Sequence, residues 1–325
     1  MTRVLAIGIY ADIDHTALVE EEGAAMLATL DDLAGMPQAD RDRIEAVAYR
    51  GHAPFGPDQM ALLPRLRVIA NNGVGYDAID VAAATERGIV VTNTPGVLND
   101  DVADLAVAML VAQSRDFERG MRAVRDGSWA QTGELPLARK LSGRTVGILG
   151  MGRIGREIAD RLVAFKCRIH YQSRTPKDTP AGWTYHADPV DLARGVDDLV
   201  VSVVGGPATE GMVSARVLDA LGPDGVLVNI SRGSVVDEAA LIEALEQGRI
   251  RGAALDVFRN EPDVDPRLAR LPNLLPLPHV GSATVETRAA MGALQRRNLR
   301  AMLEGHAPET PVNDPAAVVR QAAGG

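Results

Sequence analysis

Three side chains of complementary chemistry each follow an apolar, strand-like run. Arg232 lies in NISRGSVVDEAAL behind GVLVNIS, Glu261 in ALDVFRNEP behind GAALDVF, and His279 in LPHVGSAT behind NLLPLP. A guanidinium fork can hold a carboxylate and polarise a carbonyl beside it. An imidazole can pass a proton, and a carboxylate can orient that ring and stabilise its protonated form. Each residue alone has an ordinary explanation. A histidine after proline is usually a loop residue, a glutamate before proline is usually solvated, and Arg232 has Asp237 nearby to pair with. Placed together at the carboxyl ends of successive parallel strands, where open sheets bind ligands, they form a working set.

A second set lies upstream. In GILGMGRIG, residues 147–155, Gly150, Gly152 and Gly155 form a G-x-G-x-x-G between the strand-like TVGIL and the helical IGREIADRLVAF. In that setting the first glycine permits a tight turn, the second lets a pyrophosphate approach the backbone, and the third lets helix pack on strand. Arg153 and Ile154 open the helix, whose first turn offers amide donors to the pyrophosphate. About twenty residues on, an acid at the end of the second strand would accept the ribose hydroxyls of NAD. Here Gln172 and Ser173 stand in its place, and Arg174 follows, flanked by the hydroxyls of Ser173 and Thr175. An arginine there pairs with the extra phosphate of NADP. The expected cofactor is NADPH/NADP, with NADH usable.

The elements that must position these residues alternate in type. In the first hundred residues RVLAIGIY, EAVAY, LRVIANN and GIVVTNT read as strands, and ALVEEEGAAMLATL, PDQMALLPRL and AIDVAAATERG read as helices. From Asn99, with Asp100 and Asp101 as capping and charge signals, the chain reads as one long helix through DFERGMRAV. TVGILG, RIHYQS, DLVVSVV, GVLVNIS, GAALDVF and NLLPLP then read as six strands with helices between them, a doubly wound series. A last helix spans about 284–304, and the PVNDP behind it has the composition to return to the first lobe. The expected fold class is therefore α/β, with two doubly wound, Rossmann-like parallel-sheet lobes and a cleft between them. The expected division is 1–98 with 285–325, and 99–284.

Bulk composition narrows the partners. A length of 325 residues favours two domains. The net charge of −9 argues against nucleic acid, while local arginines still allow an anionic substrate. No run approaches the roughly 18 apolar residues of a membrane span. The N-terminus reads as a strand and not as a signal peptide. The single cysteine, Cys167, allows no internal disulfide, suits a reducing cytoplasm and reads as a small apolar filler. His15, His52, His170, His186 and His306 show no metal-ligand spacing, so no metal is expected.

NNGVGYDAID, NTPGVLNDDVADLAVAML, GRTVGILGMGRIG, NISRGSVVDEAALIEAL, GAALDVFRNEP and PHVGSAT together resemble the D-isomer-specific 2-hydroxyacid dehydrogenases, over about residues 60–313. Within that family the chain is most similar to the NADPH-using glyoxylate/hydroxypyruvate reductase branch. The resemblance implies Arg232 as carboxylate binder, Glu261 as the histidine's partner and His279 as general acid/base. It implies that Val74 and Gly75 offer backbone amides to the substrate carboxylate. It places Asp256 near the nicotinamide amide, with Ile230, Ser231 and Gly281 lining the same end of the cofactor. It further implies a flavodoxin-like first lobe that binds substrate, and a homodimer built through the nucleotide domain. Trp129 either reaches a neighbouring subunit or packs in the dimer loop. One departure is the loop VVGGPAT, which has Val204 where the family commonly has proline; this bears on Val204, Gly205 and Thr209 as cofactor contacts. Other acids (D-lactate, phosphoglycerate, 2-ketogluconate), phosphite, and a non-enzymatic nucleotide sensor are the alternatives.

Overall fold

The structure, a computed structural model, describes residues 2–314, which divide into two compact units. Among these, the first comprises 2–98 and 284–314, the second 99–283.

The first unit runs β1 (Val4–Ile7), α1 (Asp12–Glu20), β2 (Ala25–Leu27), α2 (Gln38–Arg41), β3 (Ala46–Tyr49), α3 (Pro57–Ala61), β4 (Val68–Asn71), α4 (Val81–Glu86) and β5 (Val90–Thr92). Its strands form a parallel sheet in the order β2-β1-β3-β4-β5. β1, β3 and β4 are buried at every position, as expected of strands covered on both faces. PVND, the described part of PVNDP, does return to this sheet: Pro311 bridges Thr92, and Val312 N–H donates to Val91 O at 2.7 Å.

One reading of the sequence is corrected here. ALVEEEGAAMLATL is not a single helix. α1 stops at Glu20, Gly23 takes φ +62°, and Ala25–Leu27 pairs with β1. Three consecutive glutamates at a helix C-terminus oppose the helix dipole, and the left-handed glycine ends the helix. The short apolar stretch left over completes the sheet edge.

The second unit runs α5 (Asn99–Ser114), α6 (Phe117–Arg125), α7 (Trp129–Thr132), β6 (Thr145–Leu149), α8 (Arg153–Ala164), β7 (Arg168–Gln172), β8 (Thr184–His186), α9 (Pro189–Arg194), β9 (Asp198–Val201), α10 (Ala215–Leu221), β10 (Val226–Asn229), α11 (Glu238–Glu246), β11 (Gly252–Leu255) and β12 (Leu274–Pro276). α12 (Val285–Leu303) then belongs to the first unit. Thr284 is the N-cap of α12, its hydroxyl accepting from Thr287 N–H. The long helix expected from Asn99 is also corrected. It breaks at Asp116, which adopts φ +54°, and Gln113 before the break is anchored by donating to Asn273 O at 2.8 Å.

The second sheet is parallel, in the order β12-β11-β10-β9-β6-β7-β8. β8 was not legible as a strand. It is a three-residue edge strand, TYH, half-exposed and without an apolar run. Chain order reverses between β6 and β9, the switch point at which doubly wound sheets bind ligands. At the opposite end, Arg144 grips the buried Asp198 carboxylate at 2.6 and 2.8 Å, pinning β6 to β9. Arg161 bonds Asp100, Asp104 and Glu157, tying α8 to α5.

Candidate active site

Register places the candidate residues along one edge. Gln172, Leu149, Val201, Asn229, Leu255 and Pro276 pair in turn across six strands. The chain leaves each strand just beyond that line: Ser173 and Arg174 after β7, Gly150 after β6, Gly205 after β9, Arg232 after β10, Asp256 and Glu261 after β11, and His279 after β12. Five gaps of about 4.8 Å put the strands of Arg174 and His279 roughly 24 Å apart. Different residues must therefore serve the two ends of a long ligand.

The glycine loop has the geometry a dinucleotide needs. Gly150 sits at φ +105°, and its N–H and that of Met151 both donate to Gln172 O, at 3.0 and 3.2 Å. A Cβ on Gly155 would lie 2.1 Å from Gly150 O, so this position must be glycine for α8 to seat against the loop. A Cβ on Gly152 meets no atom of the described residues within 4 Å, which leaves the approach to the first turn of α8 clear. That turn reads Arg153, Ile154, Gly155, Arg156, with no acid to repel an anion. These residues fit a nicotinamide dinucleotide.

At the end of β7 the three candidates differ. Arg174 and Thr175 are exposed. Ser173 is buried, its hydroxyl donates to Thr175 O at 2.6 Å, and Tyr185 Oη donates to Ser173 O at 3.2 Å. Ser173 thus shapes the turn, and Arg174 is the group presented outward. Under the same edge His170 and His186 meet at 3.0 Å between Nδ1 and Nε2. Burial, and then the neighbouring His186, lower the His170 pKa. Cys167 is buried and its thiol is pushed up to about 11 by burial, which keeps it protonated.

Arg232 is held by its turn. Asn229, fully buried, accepts from Ser231 N–H and Oγ at 3.0 and 2.9 Å and donates to Arg232 O at 3.0 Å. Arg232 Nη1 donates to Ser231 O at 2.8 Å. Ile230 and Ser231 are themselves buried. A Cβ on Gly205 would lie 2.6 Å from Arg232 Cγ, so the backbone of the 203–209 loop supports the arginine stem. Val204 projects outward, and its carbonyl accepts from Thr209 Oγ1 at 2.7 Å. A Cβ on Gly233 would overlap the Phe258 carbonyl, at 1.9 Å from its carbon. The Arg232 turn therefore packs directly on the segment leading to Glu261.

Glu261 bridges two groups. Its Oε1 accepts from Phe258 N–H at 2.8 Å, and its Oε2 lies 2.6 Å from His279 Nδ1. A carboxylate only accepts, so Nδ1 carries the hydrogen of this bond. His279 has a left-handed backbone, φ +53°, unusual for a residue with a side chain. Asp256 holds that turn. Its carbonyl accepts from His279 N–H at 2.8 Å, its Oδ1 from Val280 N–H at 2.7 Å and its Oδ2 from Gly281 N–H at 2.8 Å. Burial raises the Asp256 carboxyl pKa, while the two N–H donors pull it down. Asp256→Asn keeps one acceptor and turns an NH₂ against the other amide. The expected cost is about 1–3 kcal/mol of stability, seen as a lower Tm. An unchanged Tm would remove Asp256 as the clamp of this turn.

Val74 and Gly75 lie in the first unit, on the loop after β4. Asn229, Gly233 and the clamping role of Asp256 were not found from the sequence. The available signals were a polar residue ending a buried strand in VLVNIS and a glycine directly after the arginine.

A family model described as D-isomer specific 2-hydroxyacid dehydrogenase, NAD binding domain, matches residues 107–281. The glyoxylate/hydroxypyruvate reductase A HPR2 of Arabidopsis thaliana is 48% identical over 277 residues, covering 85% of this chain and 87% of that one. The 2-ketogluconate reductase of Gluconobacter oxydans is 43% identical, covering 83% and 86%. A crystal structure of an NADPH-dependent glyoxylate/hydroxypyruvate reductase from Sinorhizobium meliloti, in complex with NADP and malonate, superposes with a TM-score of 0.90 at 44% identity, over 96% of each chain. The chain belongs to the D-isomer-specific 2-hydroxyacid dehydrogenase family of oxidoreductases.

Proposed function

We propose that this protein reduces small 2-oxo acids, glyoxylate and hydroxypyruvate among them, to D-2-hydroxy acids, with NADPH as the preferred reductant. The observation that carries this reading is the 2.6 Å His279–Glu261 pair, two strands from the Arg232 turn and on the same sheet edge as the glycine loop. In this reading 99–284 holds the dinucleotide, and 1–98 with 285–325 holds substrate. The bound nicotinamide dinucleotide supplies the hydride. Arg232 and the Val74 and Gly75 amides bind the substrate carboxylate. Arg232 also polarises the neighbouring carbonyl, and His279 gives the Nε2 proton to the oxygen that gains charge. Glu261 keeps the ring oriented through Nδ1.

A homodimer belongs to the same proposal, supported by the exposed Phe117, Met121 and Val124 on α6 and by exposed Trp129. So does a cytoplasmic location, supported by the one buried, unpaired thiol. No helix of the described residues is long and apolar enough to cross a membrane.

The test is kcat/KM for glyoxylate, hydroxypyruvate, pyruvate and 2-ketogluconate, each with NADPH and with NADH. Turnover of the first two with NADPH is expected. A preference for 2-ketogluconate would shift the substrate and leave the chemistry standing. Arg174→Ala is expected to weaken NADPH by about ten- to a hundred-fold, the loss of a charge-assisted contact, and to spare NADH. Equal losses for both cofactors would end the phosphate role of Arg174.

A further inference from the structure

The loop after β4 carries a second layer of residues that determines where its amides point. Three consecutive carbonyls are engaged from one side. Gly73 O accepts from Asn71 Nδ2 at 3.1 Å and from Thr94 N–H at 2.9 Å. Val74 O accepts from Asn93 Nδ2 at 2.8 Å, and Gly75 O from Asn71 Nδ2 at 2.8 Å. In a trans peptide the C=O and the following N–H point in opposite directions. Drawing these carbonyls toward Asn71 and Asn93 therefore turns the N–H groups of Val74, Gly75 and Tyr76 the other way. Among the described residues those three amides donate to no acceptor. Successive outward amides of this kind form an anion-binding concavity.

The braces are themselves fixed. Asn71 is buried at the end of β4. Asn72 next to it donates to Gln295 Oε1 at 3.1 Å, and buried Gln295 donates to Ala70 O at 2.7 Å. Asn93 follows β5, and its carbonyl accepts from Thr310 Oγ1 at 2.6 Å.

We infer that Asn71 and Asn93 are positioning residues for carboxylate binding, acting by holding the 73–75 carbonyls so that three amides, Tyr76 included, face the substrate. The inference rests on the proposed reduction of 2-oxo acids. Neither asparagine touches the substrate. Each acts on the direction of a backbone dipole.

Two measurements on the full chain test it. The first is steady-state kinetics of Asn93→Ala and Asn71→Ala with glyoxylate and NADPH. The expected result is a rise in glyoxylate KM of about ten-fold, a smaller fall in kcat, and an unchanged Kd for NADPH by tryptophan fluorescence. An unchanged KM, or an NADPH Kd that rises in parallel, overturns the positioning role. The second is amide NMR of the unsubstituted protein titrated with oxamate. The Val74, Gly75 and Tyr76 amides should shift together, and Asn93→Ala should remove the shift of Gly75. Oxamate shifts without turnover of any acid would keep this inference and discard the reductase reading. Turnover without those shifts would do the reverse.

Discussion

His279→Ala lowers kcat for reduction of glyoxylate by about 10²–10⁴-fold, the usual contribution of a placed acid, while NADPH still binds. The reason is geometric. Nδ1 is tied to Glu261 at 2.6 Å, so the ring presents Nε2 as the donor. The left-handed backbone of His279 complicates the alanine variant, because φ +53° is tolerated less well by alanine than by glycine, asparagine, aspartate or histidine. His279→Asn separates the two effects. Asparagine tolerates the backbone, so its Tm should stay near that of the unsubstituted chain while the rate falls as far as in the alanine variant. Recovery of the rate in His279→Asn would assign the loss to backbone strain and not to proton transfer. The pH profile adds a sign. Reduction needs the imidazole protonated, so its rate should fall as pH rises. Oxidation needs it neutral, so that rate should fall as pH drops. Flat profiles in both directions, with chemistry rate-limiting, would remove His279 as the acid.

Arg232→Ala is expected to cost about 10²–10³-fold in kcat/KM for glyoxylate, the scale for deleting a donor aimed at developing negative charge. Arg232→Lys should recover part of this, because lysine restores the charge but not the planar fork. Gly205 supplies an independent route to the same defect. A methyl group there would lie 2.6 Å from Arg232 Cγ and must push the arginine stem aside. Gly205→Ala should therefore resemble Arg232→Lys in its raised KM for the acid, with both Gly205 and Arg232 outside the glycine loop at 150–155. If Arg232→Ala left kcat/KM for glyoxylate within a few-fold, the carboxylate would have to be bound elsewhere.

Much of this was legible in the residues themselves. TVGIL, VLVN and GAAL are short, apolar and buried on both faces, and such runs have few stable outcomes other than central parallel strands. Gly155 announced a position that only glycine can fill, because its constraint lies against Gly150 O nearby in the chain, whereas the atoms that exclude a Cβ at Gly150 belong to Ser202 and Val203, beyond β9. Arg232, Glu261 and His279 stood out in the sequence because each lies within six residues past the end of a strand-like run. The tertiary structure decided the rest. AML became strand β2 and TYH strand β8 through pairing with β1 and β7, since a three-residue edge strand has little preference of its own. The helix from Asn99 broke at Asp116 beside Gln113, which is fastened to Asn273 far along the chain. Asn71, Asn93, Asn229 and Asp256 look like ordinary polar residues in the sequence. Their importance lies in the backbone groups they hold: Asn71 and Asn229 hold the turn that directly follows their own strand, whereas the partners of Asn93 and Asp256 come within reach only once neighbouring strands fix their register. Side-chain chemistry was thus written locally, while the direction of the His279 turn and of the Val74 carbonyl was set by contacts between separate segments of the chain.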